Sequence, residues 1–143
     1  MKKFRPIYAV VLLLFFLLTA VQCKKIKEDL GMKFIIAAMT DGRWLVDKFT
    51  DSNEDIAASF TGYEFQFTGD GKVYGYYNGT QVGAGTWVGD VNNLTIQSNF
   101  PGAAEPLVRL NDTWKITNNT TKLVEATPFN SSRIAYLKLV KKS

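Results

Sequence analysis

The chain has 143 residues, 46% of them apolar and 13% aromatic, a length that fits one domain with a core of its own. A single cysteine excludes an internal disulfide framework, and the absence of histidine excludes metal and acid–base sites built on imidazole. The 17 basic and 13 acidic residues include Lys2, Lys3 and Arg5 at the N-terminus and Lys24, Lys25 and Lys27 soon after; from Gly42 onward 10 basic residues balance 10 acidic ones, and nothing remains there of the clustered positive charge that a nucleic-acid binder needs.

Residues 1–22 read as an export signal. Lys2, Lys3 and Arg5 precede an apolar run from Ile7 to Leu18, shorter than the ~20 residues that a permanent crossing requires. Cys23 stands where that run ends. Thr19-Ala20-Val21-Gln22-Cys23 resembles the lipobox of bacterial lipoproteins. That resemblance implies a diacylated, palmitate-bearing Cys23 as the first residue of the mature chain, which ties the protein to a membrane. Lys24 in place of an aspartate after the cysteine implies the outer membrane, with the domain facing the periplasm or the cell surface. Residues 23–41 then comprise the lipidated cysteine, a basic tether (Lys24-Lys25-Ile26-Lys27) and a short helix. The spacing of Leu30, Phe34, Ile35, Ala38 and Met39 predicts that helix over Asp29–Thr40, ended by Asp41-Gly42.

From residue 42 to 143 the period changes to two, with turn residues every eight to twelve positions. Eight strands are predicted: Arg43–Thr50, Tyr63–Thr68, Lys72–Tyr77, Gly83–Val88, Asn93–Asn99, Thr113–Asn118, Lys122–Thr127 and Arg133–Lys141. Tyr63, Phe65 and Phe67 share one face while Glu64 and Gln66 share the other; Trp114 and Ile116 alternate with Thr113, Lys115 and Thr117 in the same way. Eight antiparallel strands with one apolar face close into an up-and-down barrel. The connections 51–62, 78–82, 100–112 and 128–132 gather at one end. The shorter turns at 69–71, 89–92 and 119–121 gather at the other, together with the helix and tether.

Gly42-Arg43-Trp44 opens the first strand as a Gly-x-Trp motif. With Tyr63–Phe67, Gly71-Lys72-Val73, Gly85-Thr86-Trp87, Leu110–Ile116 and Tyr136–Leu139 behind it, the chain resembles the lipocalin-like domain of bacterial outer-membrane lipoproteins. The resemblance implies a calycin-type, all-β, eight-stranded barrel with a short N-terminal helix, and Gly42, Trp44, Trp87 and Trp114 as its structural motif. It departs in one place. Lipocalins pack an arginine of the last strand on the motif tryptophan, whereas Arg133 starts the last strand at the loop-rich end and Lys141 stands at the Trp44 end.

A barrel of this size either fills itself with side chains or holds one small ligand. Trp44, Phe65, Trp87, Ile96 and Trp114 are bulky inward candidates, but Gly75, Gly83, Ala84 and Gly85 leave two strands with little volume, which favours a cavity. Phe60, Tyr77, Asn78, Phe100, Glu105, Arg109 and Arg133 are the candidate mouth of a ligand site, the arginines suited to an anionic head group. Arg109 and Glu105 can equally form a surface pair on a short helical lid over Glu105–Leu110. Parity places Glu125 inward with Leu123, unless a bulge turns Val124 and Ala126 inward instead.

Asp51-Ser52-Asn53-Glu54-Asp55 resembles half a calcium loop, but Ile56 stands at its glycine position and Gly62 at its glutamate position, so no metal and no cofactor is expected. Nothing assembles a nucleophile with a base; a carboxylate pair such as Asp55 with Glu105 is the sole arrangement suited to hydrolysis, and the chain reads as non-catalytic. The expected function is that of an exported lipoprotein binding a small apolar or amphipathic ligand at the loop-rich end. The alternative is a filled barrel serving as a protein–protein interaction, inhibitor or assembly module at the cell envelope.

Overall fold

Alternation along the chain turns one row of side chains inward on each barrel strand, and nine strands form among the described residues. The computed structural model describes residues 30–143; the export signal, Cys23 and the basic tether lie outside the described residues. In chain order the strands are β1 (Trp44–Asp51), β2 (Glu54–Asp55), β3 (Tyr63–Phe67), β4 (Lys72–Tyr77), β5 (Thr80–Asp90), β6 (Thr95–Asn99), β7 (Asp112–Asn119), β8 (Leu123–Pro128) and β9 (Ala135–Lys141). A helix, α1, covers residues 30–40, and two 3₁₀ turns, Ala57–Phe60 and Leu107–Leu110, sit in the loop-rich end.

Each strand from β3 to β9 pairs antiparallel with the next, and β1 pairs with both β9 and β3 to close an eight-stranded up-and-down barrel. β2 is a two-residue flap on the end of β1. The barrel has the expected lipocalin-like shape. Its seam is uneven: seven residue pairs join β1 to β9, but Trp44↔Phe65 alone joins β1 to β3.

The helix closes the tight-turn end. Met32, Ile35 and Met39 are buried against the barrel, and the Trp44 indole donates to the Met39 carbonyl at 2.9 Å. Lys141 lies at the same end: its Nζ is 5.7 Å from the Trp44 ring centre and 2.8 Å from Asp41. Trp87 is buried in edge contact with Phe67, their ring centres 5.5 Å apart, and donates to the Thr68 carbonyl at 2.9 Å.

Two expectations are corrected, and the two orientations open to Glu125 resolve to one. The β4–β5 connection is not a 78–82 loop but the two-residue turn Asn78-Gly79, with φ of +49° and +83°, the left-handed pair a tight hairpin requires. Leu94 precedes β6 in a turn at φ +52°. Glu125 points outward, because β8 alternates regularly with Val124 and Ala126 buried at 3% exposure. The bulge lies on the partner strand, β7, between Ile116 and Asn118.

Candidate functional site at the loop-rich end

Two segments that cross the open end of the barrel, 56–62 and 100–111, bring apolar side chains down into the predicted mouth. Phe60, on the first 3₁₀ turn, lies 5.5 Å from Phe49 and 6.2 Å from Phe65, ring centre to ring centre. Phe100, at the end of β6, is 1% exposed and packs on Phe65 at 6.2 Å. Tyr63 and Tyr77 continue the cluster to the rim, 5.0 Å apart, with Tyr77 half-exposed. Asn111 ties the 100–111 segment at its base: its Oδ1 accepts from Phe100 N at 2.6 Å and its Nδ2 donates to Phe100 O at 3.2 Å.

The glycines that suggested a cavity make room for a leucine. A Cβ placed on Gly83 would stand 2.6 Å from Leu107 Cδ1, and one on Gly75 would stand 3.2 Å from Leu107 Cδ2. Leu107 is 5% exposed, so the predicted lid segment inserts its side chain into the barrel wall instead of lying over an opening. Gly85 serves a different need, since a Cβ there would lie 2.1 Å from the Asn99 carbonyl oxygen where β6 crosses close to β5.

Below this plug the interior is nearly full. The remaining cavity measures about 40 Å³, lined by Phe65, Ile96, Trp114, Val124, Leu137 and other apolar side chains. Ser98 is its polar residue, and the Ser98 hydroxyl donates to the Leu110 carbonyl, which also accepts from the Trp114 indole at 3.0 Å. Ligand pockets usually measure about 300–1,000 Å³. This space suits one or two water molecules by size, and its lining disfavours even those.

The two arginines are already committed to carboxylates. Arg133 Nη2 lies 2.6 Å from Asp51 Oδ2, its Nε 3.2 Å from Asp51 Oδ1 and its Nη1 3.0 Å from Asp112 Oδ2; Nη2 also donates to the Arg109 carbonyl. The guanidinium rests over the Trp114 ring at 5.3 Å and the Phe49 ring at 5.9 Å. The Arg109 Nε donates to both Glu105 carboxylate oxygens at 3.0 Å, and Arg109 reaches Asp51 at 3.5 Å. Asp51 is 7% exposed, and the hydrogen bonds from Arg133 hold its carboxyl below the usual carboxylate range.

Three carboxylates therefore surround two guanidiniums, and an anionic head group would have to displace one of them. A shallow cleft of about 380 Å³ lies over Asp51, Glu105, Val108, Arg109 and Arg133, and another of about 330 Å³ follows the β1–β3 seam beside Phe60, Tyr63 and Asn78.

The other candidates disperse. Glu125, a predicted ligand contact, accepts from the Tyr136 hydroxyl at 2.6 Å and from Asn118 Nδ2 at 2.7 Å on the outer wall. These bonds lower the Glu125 pKa and push the Tyr136 phenol up to about 12. Asp51 directs its carboxylate to Arg133 instead of into the 51–55 turn, and Asp55 accepts from the Ala57 backbone N–H at 3.0 Å. Asp55 and Glu105, the pair suited to hydrolysis, are thus each occupied separately. Asp51, Asp112, Leu107 and Phe49 are functional neighbours that the sequence reading missed.

Comparison with known proteins adds a fold likeness only. No family model and no curated protein matches the sequence. The structure is similar to the crystal structure of a DUF4847 family protein from Bacteroides vulgatus, with a TM-score of 0.56 and 15% identity, over 76% of this chain and 97% of that one.

Proposed function

We propose that this protein is an exported, lipid-anchored lipoprotein whose lipocalin-like barrel is filled, and that it acts as a protein–protein interaction, inhibitor or assembly module at the cell envelope. The observation that carries this reading is the seating of Leu107 in the slot formed by Gly75 and Gly83, above an interior void of only about 40 Å³. A carrier of apolar molecules needs roughly ten times that volume. The charged groups at the loop end favour the same choice, since the arginines that would hold a ligand's head group hold Asp51, Asp112 and Glu105. Chemistry of the acyl-transfer type has no support from a chain without histidine and with its one cysteine at the anchor.

Native mass spectrometry of the membrane-extracted chain tests the reading. The expected spectrum is that of the mature chain from Cys23 with its acyl groups and nothing else, unchanged by extraction with organic solvent. A defined adduct that leaves on extraction would overturn the filled-barrel assignment in favour of a carrier and would weigh its ligand. A mature mass without acyl groups would overturn the anchor alone.

A further inference from the structure

Helix α1 is apolar on both sides. Met32, Ile35 and Met39 turn toward the barrel and are at most 3% exposed. At 3.6 residues per turn, Leu30, Phe34 and Ala37 fall on the opposite side; all three are exposed, Leu30 at 62% and Phe34 at 46%. An ordinary surface helix carries polar residues there, whereas a helix that is apolar all round has a second apolar neighbour. The location suggests what that neighbour is. Leu30 stands seven residues after Cys23, and seven extended residues reach at most about 24 Å. The same stretch carries Lys24, Lys25 and Lys27 against Glu28 and Asp29, and Lys33 flanks the exposed stripe, an excess of positive charge that suits acidic lipid head groups.

We propose that the outer face of α1, centred on Leu30 and Phe34, rests in the surface of a bilayer containing acidic phospholipid and holds the barrel with its loop-rich end away from the membrane. The inference rests on acylation of Cys23, which brings the helix within reach. Anchor and helix then act as two membrane attachments on one short segment, and the helix fixes an orientation that a lipid anchor alone would leave free.

The test uses the full chain, processed and extracted from bacterial membranes and reconstituted in phosphatidylethanolamine–phosphatidylglycerol vesicles. Leu30→Cys, Phe34→Cys, Val88→Cys and Ser131→Cys variants are labelled with an environment-sensitive fluorophore and quenched by acyl-brominated lipid. Val88 is the matching control, an apolar side chain 62% exposed on the barrel wall. Quenching several-fold stronger at 30 and 34 than at 88 and 131 is the expected result. Equal quenching at all four positions would overturn the proposal. So would protection of position 34 in intact cells but not in vesicles, which would assign the face to a protein. The anchor is read separately: a thioether-acylated Cys23 takes no thiol label, so labelling of the parent chain would show that the anchor has failed and not the helix contact.

Discussion

Replacing Leu107 by alanine removes three carbons from the slot above the barrel. At about 0.8 kcal/mol for each buried carbon this forfeits about 2.4 kcal/mol, and the unfilled space raises the loss to about 3–4 kcal/mol. Gly83→Ala acts on the same contact from the other side, because the added methyl meets Leu107 Cδ1 at 2.6 Å. Leu107 or its loop must then give way, at a cost of about 1–3 kcal/mol. The combination is the informative variant. With Leu107 already alanine, the methyl at position 83 enters vacated space, so the double variant should lose about 1–2 kcal/mol less than the two single losses together. Urea unfolding of the four chains, with the slopes compared to confirm two-state behaviour, measures the cycle. Additive losses, or a Leu107→Ala loss below about 1 kcal/mol, would mean that Leu107 does not fill the slot and that the mouth is open.

Arg133→Met should cost about 3–5 kcal/mol at neutral pH, since it strands the buried Asp51 carboxylate with only Arg109 nearby. The pH profiles should diverge too. In the parent, the depressed Asp51 pKa contributes stability that is present above the ordinary value of 3.8 and is lost as pH falls through the lowered one; in the variant, stability should instead rise on acidification, and parallel profiles would refute the pairing. Glu125→Gln should return the Tyr136 phenol from about 12 toward 10.0 in a spectrophotometric titration with Tyr136→Phe as blank. Because the folded-state value is the raised one, this contact stabilises the fold below pH 10.0 and is lost as pH climbs toward about 12; an unmoved titration would place Glu125 elsewhere. Gly85→Ala should lose about 3 kcal/mol or more in the same urea assay, because its Cβ would strike the Asn99 backbone at 2.1 Å. Gly89→Ala, whose Cβ would meet only side-chain atoms, Met32 Sδ at 3.4 Å and Ile36 Cδ1 at 3.5 Å, should lose far less, and equal losses would contradict the close β5–β6 approach.

The strands were legible because each carries its own alternation, as in Tyr63–Phe67 and Thr113–Thr117, and because Asp70-Gly71 supplies a tight turn of its own. The site was much less so, for three physical reasons. A bulge at Asp47 shifts the register of β1 between Val46 and Lys48, so counting by twos from Trp44 predicts Lys48 inward, whereas Phe49 and Asp51 face in. Asp51 then meets Arg133 across 82 residues, a pairing that no local pattern announces. A run of small residues has two meanings, empty volume or a slot for another segment, and the occupant, Leu107, comes from a loop that has no periodicity to reveal its direction. Asn78-Gly79 forms the hairpin turn, but Thr80-Gln81-Val82 lacks apolar alternation, so 78–82 read as one loop.

The two ends of the barrel are closed by different chemistry, and this bears on where a partner can act. At the tight end, closure comes from Met32, Ile35 and Met39 on Trp44, contacts without charge whose strength changes little with salt or pH in the physiological range. At the loop end, Leu107 and Phe100 are held under a ring of Arg133, Asp51, Asp112, Arg109 and Glu105. An ionic cluster built around one buried carboxylate, here Asp51, contributes less to net stability than an apolar core of equal volume, yet it is costly to break from one side. It therefore favours one loop arrangement over its neighbours more than it strengthens the fold. A ligand-gated mouth would call for the reverse, a cover that is weakly specified and easily displaced. The loop end of this barrel is instead a shaped surface of paired charges on a filled support, which suits recognition by another protein better than the passage of a small molecule.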